Sequence, residues 1–345
     1  MPDRVTVAVD ANGADQGPSE VARGAALAAA AGTRVLLFGP AARLGPVPDG
    51  VEVIDAPVSI AKAPDPARAV RTTPDASIVR AAEAVAEGHA DALVSGGSTG
   101  AALAAGLFRI KRARGVHRPA LALILPVPQH PFLLLDAGAN VEVRPEHLVQ
   151  FAHMGAAFME IVMGVERPRV ALLSNGEEAS KGTESVTAAN AALRGRPGEL
   201  NFVGNVEGFA IGTGAADVIV ADGFTGNVAL KVMEGTSAAL LGAVRSAATS
   251  SPRAKLGGML LRPALRHLRD EIDPEEQGGA VLLGLRRLGV VPHGSFGARG
   301  FARAIEVAAR GVRNDVAGRT HLRLAAAGAL RRSELSEPAA TVPDQ

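Results

Sequence analysis

Short apolar runs alternate with helical patterns along most of this chain, and most of the runs stop on glycine, aspartate, asparagine or serine. VTVAVD, RVLLFG, VEVID, ADALVSGG, ALALILP, FLLLDAG, RVALLSNG, NFVGNVEG and ADVIVADG have the Val-, Ile- and Leu-rich make-up of buried strands. Between them, residues 19–31, 77–88, 99–114, 145–164 and 184–194 read as helices, and another helix opens at Thr225. This alternation predicts an α/β fold with a mainly parallel sheet and helices on both faces. Ligands of such sheets sit beyond the carboxyl ends of the strands. Those ends are Asp10, Ser95-Gly96-Gly97, Asp136-Ala137-Gly138, Ser174-Asn175-Gly176, Gly204-Asn205 and Asp222-Gly223. Their convergence on one edge is the expectation for a site.

Two of these turns match closely. LVSGGSTGAAL and VIVADGFTGNVAL share Gly-x-Thr-Gly between strand and helix, with Thr99-Gly100 corresponding to Thr225-Gly226. A helix start presents unpaired N–H groups and partial positive charge, so two of them facing one cleft can hold an anionic group. An ordinary capped βα turn uses the same residue types. Neither turn has the lysine of a Walker loop, and GFAIGTGAAD carries part of a dinucleotide pattern but precedes a strand.

Composition narrows the chemistry. The 345 residues carry a net charge of +1, with no Trp or Tyr and ten Phe, so neither field nor stacking platforms favour nucleic acid. Cysteine is absent, which removes disulfides, thiolate nucleophiles and cysteine-ligated metals. MPDRVTVAVD enters a strand directly, and no apolar stretch reaches the roughly 20 residues of a membrane span. The expected location is cytoplasmic, with at most peripheral membrane association.

One large α/β domain is expected over 1–330, with a helical arm at about 238–272 and a disordered tail over 331–345. Residues 246–251 should break the arm. Beyond the break, Arg253, Lys255, Arg262, Arg266 and Arg269 surround the apolar cluster Leu256, Met259, Leu260 and Leu261. Apolar residues beside cations suit a twin subunit or an anionic lipid surface, and a solvated basic helix reads the same way.

Several residues could carry chemistry. In LLSNGEEASKGTE, Lys181 lies beside a glycine turn where it can meet a phosphate or polarise a carbonyl. VDANGADQGP sets Asp10 and Asp15 around Gly13, as a base, a metal site or a capped loop. PHGSFGARG offers His293 and Ser295 as a dyad, but no acid stands at a recognisable spacing and the Gly-x-Ser-x-Gly elbow is missing. No histidine pair has metal-ligand spacing, so no catalytic metal is expected.

Together and in order, VDANGAD, STGAAL, RPAL, LLDAGANVEVRPEHL, GEEASKGTE, NFVGNVEG, ADVIVADGFTGNVALK, GGAVLLGL and HGS resemble the bacterial phosphate acyltransferase family, over residues 5–313. The resemblance implies a Rossmann-like α/β/α fold related to phosphotransacetylases and isocitrate-type dehydrogenases. It implies a homodimer whose arm docks reversibly on anionic membrane through Leu256, Met259, Leu260 and Leu261. The implied reaction takes the acyl group from acyl-[acyl carrier protein] to inorganic phosphate, giving acyl-phosphate for phospholipid synthesis without a cofactor. Catalysis is carried over to Lys181 and Asn227. Substrate binding is carried over to Asp10, Gly13, Asp15, Ser98, Thr99, Gly100, Asp136, Gly138 and Asn140 in the first half. In the second half it falls on Gly176, Glu177, Gly204, Asn205, Asp222, Gly223, Thr225, Gly226, His293 and Ser295.

That chemistry suits a chain without cysteine, because phosphate is itself the nucleophile and the protein has only to position it and stabilise an oxyanion. The departures from the family pattern fall on polar turns. The family usually reads Met-Gly-Gly-Asp-His at residues 12–16, Asn at Ser98, Ser174 and Thr183, Ser at Phe296, and a basic run after Arg71. A coenzyme-A-dependent phosphotransacylase, a nicotinamide-dependent dehydrogenase on the related fold, and an inactive paralogue that binds carrier protein remain as alternatives.

Overall fold

The computed structural model describes residues 5–196 and 198–331. Apart from Arg331, the tail expected over 331–345 lies outside the described residues. Strands β1 (Thr6–Asp10), β2 (Arg34–Gly39), β3 (Val51–Asp55) and β4 (Ala92–Ser95) come from the first part of the chain. They are followed by β5 (Ala120–Leu125), β6 (Phe132–Leu135), β7 (Arg169–Leu173), β8 (Asn201–Val206) and β9 (Val218–Val220). Two late strands, β10 (Ala280–Leu283) and β11 (Leu288–Val291), complete one 11-stranded sheet in the order β3-β2-β1-β4-β11-β10-β5-β6-β9-β7-β8.

Both faces of the sheet are covered, which is why its strands read as unbroken apolar runs. Val7 and Val9 of β1 point into one core with Leu133, Leu135 and Val218. The helices Pro18–Ala30, Pro145–Phe158, Glu184–Arg194 and Ala298–Arg313 cover that side. Ala8 points the other way, into a second core with Leu93, Leu134 and Ile219 under the helix Ser77–Ala86. The result is the three-layered α/β/α arrangement that the alternation predicts.

Local signals set the helix limits. Glu184–Arg194 begins where the Thr183 hydroxyl accepts the Val186 N–H at 3.3 Å. The helices expected over 99–114 and 145–164 are each divided. Thr99–Ala105 passes into a π-helical turn at Gly106–Ile110, and Pro145–Phe158 into another at Met159–Met163.

The hairpin β10–β11 lies outside the alternation, and it changes the geometry of the sheet. β10 is antiparallel to both β11 and β5, and β5 is antiparallel to β6, while all other pairs are parallel. Strands β1–β4, β5 and β11 therefore run one way, and β6–β9 and β10 run the other. This corrects the expected convergence of turns on one edge. The turns after β1 and β4 lie on one rim of the sheet, and those after β6, β7, β8 and β9 lie on the opposite rim. β10 and β11 together leave β5 running with β4, so the reversal that separates the rims is the β5–β6 hairpin; apolar pattern fixes which residues are buried but carries no strand direction.

The arm begins as the long helix Gly223–Thr249 and continues, after Ser250 and Ser251, as Pro252–Glu271. The break comes at the end of the expected stretch, where the Ser251 hydroxyl accepts the Ala254 N–H at 3.1 Å and Pro252 starts the next helix. The second helix folds back on the first, with Gly258 against Ala248.

Candidate functional site

A cleft of about 810 Å³ crosses the sheet at β5 and joins the two rims. Its floor is apolar, made by Leu121, Leu123 and Leu125 of β5 with Ala280 and Val291 of the hairpin. Alternation along β5 sends these leucines to one face. Gly13, Asp15, Gly97, Ser98, Thr99, His293 and Ser295 line one end, and Ala137, Asn227, Leu230 and Lys231 the other. Antiparallel β5 is what allows turns from opposite rims to serve one cavity.

At the first end, two loops are tied together. The Asp15 N–H donates to Gly294 O at 2.8 Å, and Gln16 Nε2 donates to Ser295 O at 2.9 Å. Gly13 has φ +93°, and a Cβ there would come within 2.8 Å of Gly97 Cα. His293 Nδ1 and Ser295 Oγ are 2.7 Å apart, but no carboxylate hydrogen-bonds the imidazole among the described residues. The pair lacks the orienting acid of a hydrolase triad. The Ser98 hydroxyl accepts the Ala101 N–H at 3.3 Å, while the Thr99 and Gly100 N–H groups have no partner among the described residues. Lys62, which no sequence signal singled out, brings an ammonium group to this end.

Asp10 stands behind the wall and does not line the cleft. It accepts from Ser77 Oγ at 2.6 Å, Ser95 Oγ at 2.8 Å and the Asn12 N–H at 3.1 Å. Asn12 Nδ2 in turn donates to Ala56 O at 3.1 Å and Ser77 Oγ at 3.0 Å. The carboxylate thus fixes the Gly13 turn from below. Burial pushes its pKa from 3.8 up to about 6, against the hydrogen bonds that favour the ionised form. The native state therefore binds the proton more tightly than the unfolded chain, so Asp10 makes stability fall as pH rises between about 4 and 6. The loss amounts to about 3 kcal/mol at 1.36 kcal/mol per unit. Asp10→Asn should flatten that part of the profile in urea unfolding at stepped pH. A slope equal to wild type would place its origin elsewhere.

At the second end, Asp136 is fully buried and accepts from the N–H groups of Leu121, Gly138, Ala139 and Asn140 and from Asn140 Nδ2, at 2.7–3.2 Å. Burial raises its pKa against those five donors. Asn140 Nδ2 also donates to Pro119 O at 2.8 Å, and its carbonyl accepts the Gly223 N–H at 2.7 Å. This turn is the seat of the long helix, whose Gly226 lies directly against Asp136 O. Asn227 follows, exposed in the cleft beside Gly138.

The start of the long helix is closed by Asn140 O at Gly223 and by its own cap residue. Asp222 Oδ1 accepts the Thr225 N–H at 2.8 Å and its Oδ2 accepts the Thr225 hydroxyl at 2.7 Å, while the Gly226 N–H bonds Asp222 O at 2.9 Å. The two matching turns are capped alike, since the Ala101 N–H goes to the Ser98 hydroxyl and the Ala102 N–H to Ser98 O at 3.0 Å; they differ at the first helical N–H, held by Asn140 O at Gly223 and without a partner among the described residues at Thr99. Gly176, Glu177 and Lys181 sit in the loop after β7, on the same rim as Asn227 but outside the cleft wall. Lys181 is exposed, and its loop is held by Asn205 Nδ2, which donates to Glu178 O at 2.9 Å. Gly204 and Asn205 belong to β8 and also lie off the cleft.

Sequence reasoning missed the leucine floor, Lys62 and Lys231. Lys231 stands one turn after Asn227, a spacing visible in GNVALK. Among the described residues, no group of three or more His, Asp or Glu side chains is placed to hold a metal ion, and no helix is long and apolar enough to cross a membrane.

The fold is the one found in phosphotransacetylases. It superposes on a phosphotransacetylase from Streptococcus pyogenes with a TM-score of 0.59 at 17% identity, covering 91% of this chain and 95% of that one. A branched-chain phosphotransacylase from Enterococcus faecalis gives 0.55 at 15% identity, covering 89% and 99%. A family model described as "Fatty acid synthesis protein" matches residues 5–319. Phosphate acyltransferases from Geobacillus thermodenitrificans and Heliobacterium modesticaldum are 44% and 45% identical, covering 91% and 90% of this chain and 97% and 94% of theirs. The chain belongs to the phosphate acyltransferase family, and it is an acyltransferase that moves an acyl group to phosphate.

Proposed function

We propose that the cleft takes the acyl group from an acyl-[acyl carrier protein] thioester to inorganic phosphate, for phospholipid synthesis. What supports this reading is a single long cavity with an apolar floor, a polar end that sets Lys62, His293 and Ser295 beside Asp15, and an amide at its other end. The apolar leucines suit an acyl chain. A phosphate oxygen attacks the thioester carbonyl carbon. The carbonyl oxygen carries the negative charge of the tetrahedral intermediate, and the C–S bond breaks to release the carrier thiolate, which takes up a proton. No acyl-enzyme is needed. Asn227 donates a hydrogen bond to the oxyanion, and Lys181 adds positive potential from the neighbouring loop.

The deciding experiment traps acyl-phosphate with hydroxylamine, using phosphate and a panel of acyl-carrier-protein and acyl-coenzyme-A donors. Product from the carrier-protein donor is the expected result. Product from coenzyme A alone would overturn the donor assignment, and no product from any donor with folded protein would overturn the reaction.

The proposal extends to assembly and location. Phe224, Val228 and Val232 expose 62%, 46% and 60% of their surface at i, i+4, i+8 spacing, which supports a second copy of the chain against the long helix. Leu256, Met259, Leu260 and Leu261 are all more than half exposed beside Arg253, Lys255, Arg262, Arg266 and Arg269, which supports contact with an anionic bilayer. Replacing Leu260 and Leu261 together with glutamate should abolish pelleting with phosphatidylglycerol vesicles and leave activity on water-soluble donors intact. Unchanged pelleting would remove the arm from the membrane.

A further inference from the structure

Beyond the acyl-transfer cleft, a separate cavity of about 310 Å³ opens beside the helix Pro145–Phe158, on the side of the sheet away from the leucine floor. His117, Arg118, Arg144, Glu146, His147 and Arg331 line it, and the Arg118 and Arg144 guanidinium groups stand beside one carboxylate, Glu146. The carboxylate does little to neutralise them. Arg144 reaches Glu146 only at 3.9 Å, and Arg118 has no ion pair among the described residues.

His147 is the buried member of the wall. Its Nδ1 accepts the Arg144 N–H at 3.1 Å, which leaves the proton of the neutral ring on Nε2. Burial, together with the positive charges of Arg118, His117 and Arg144, holds its pKa down at about 4, with Glu146 opposing. At neutral pH the imidazole is therefore an uncharged N–H donor in a positive field. Two guanidinium forks around such a donor match the tetrahedral oxygens of a phosphoryl group better than a point-charge partner would.

We propose that this cavity binds a phosphate-bearing anion, gripped by the Arg118 and Arg144 guanidinium groups and the His147 N–H. The site is distinct from the cleft. The turn Asp136–Asn140 stands between them, with Asn140 Nδ2 bonded to Pro119 O at 2.8 Å, next to Arg118.

Histidine NMR on the full chain, labelled with ¹³C in the imidazole ring, tests the site locally. Inorganic phosphate titrated at constant ionic strength should move the His147 resonance along a saturable curve, and sodium chloride should not. The resonance is assigned by its loss in His147→Gln or, if that variant does not fold, by its displacement in Arg118→Gln. Combining Arg118→Gln with Arg144→Gln should weaken the phosphate midpoint about tenfold or more, the scale expected for one charged hydrogen bond lost. Both arginines are exposed, so the histidine signals outside the cavity, away from His117 and His147, should stay in place. Asn227→Ala should leave the His147 curve unchanged, which separates this site from the fate of the cleft. No movement of His147 with phosphate, or an equal response in the double arginine variant, would overturn the proposal.

Discussion

Asn227→Ala lowers acyl-phosphate formation about a hundredfold, with little change in the KM for phosphate, if the amide donates to the oxyanion and not to the bound ground state. Removing one preorganised oxyanion donor costs about 3 kcal/mol of barrier, and a donor used only in the transition state shows in kcat. Asn227 is exposed at the wall and sits beside Gly138, with no side-chain hydrogen bond among the described residues. Its loss should leave the urea midpoint unchanged. Asn227→Asp is the sharper control, because it keeps the shape but replaces a donor with an acceptor and a charge. Both variants near wild-type turnover would remove Asn227 from the reaction. Lys181→Ala should lower turnover at least tenfold through lost positive potential, and a smaller effect than at Asn227 fits its place outside the wall.

The largest stability effect should come one residue earlier. Gly226 packs against the backbone carbonyl of Asp136, so a methyl group there meets an atom that cannot rotate away. Asp136 is itself locked by its five N–H donors, and Gly223 is fixed to Asn140 O. The helix and the turn must separate to admit the methyl group, at a cost of about 3 kcal/mol. Gly226→Ala should therefore lose stability on that scale in urea unfolding, and lose activity because Asn227 moves with the helix start. Gly235, on the same helix with open space around its Cβ position, provides the control, and Gly235→Ala should be neutral or slightly stabilising. Equal stability of the two variants would mean that the seat yields more easily than its hydrogen bonds imply.

The layers of the fold are legible in the sequence because burial on both faces writes itself as continuous apolar strands and amphipathic helices. Glu184–Arg194 is recovered to the residue, since Thr183 caps it and Gly195 follows it. What escapes is direction and pairing. AVLL and LGVV are too short to stand out, and nothing local says that they sit between β4 and β5. The polar turns stand out in the sequence, but their types of work differ. Asp10, Asp136 and Asp222 share a position after a strand, yet the first two are spent on holding loops and the third on capping a helix. Composition cannot separate such roles, because an aspartate that braces a turn and one that meets a ligand obey the same local preferences. The leucine floor was hidden for the opposite reason. Leu121, Leu123 and Leu125 look like any buried strand, and nothing in their own pattern marks that face of β5 as a cavity wall.

The central hairpin also sets an order of assembly. β3-β2-β1-β4 and β5-β6-β9-β7-β8 are each made from contiguous chain, and only residues 280–291 bridge them within the sheet. During synthesis the ribosome completes both blocks before the strip that joins them has emerged. Until then β4 and β5 each present an open row of backbone donors and acceptors, the kind of edge that recruits other chains. The last part of the sheet to be made is thus its keystone, and a nascent chain that stalls before it exposes two adhesive borders with nothing yet to join them.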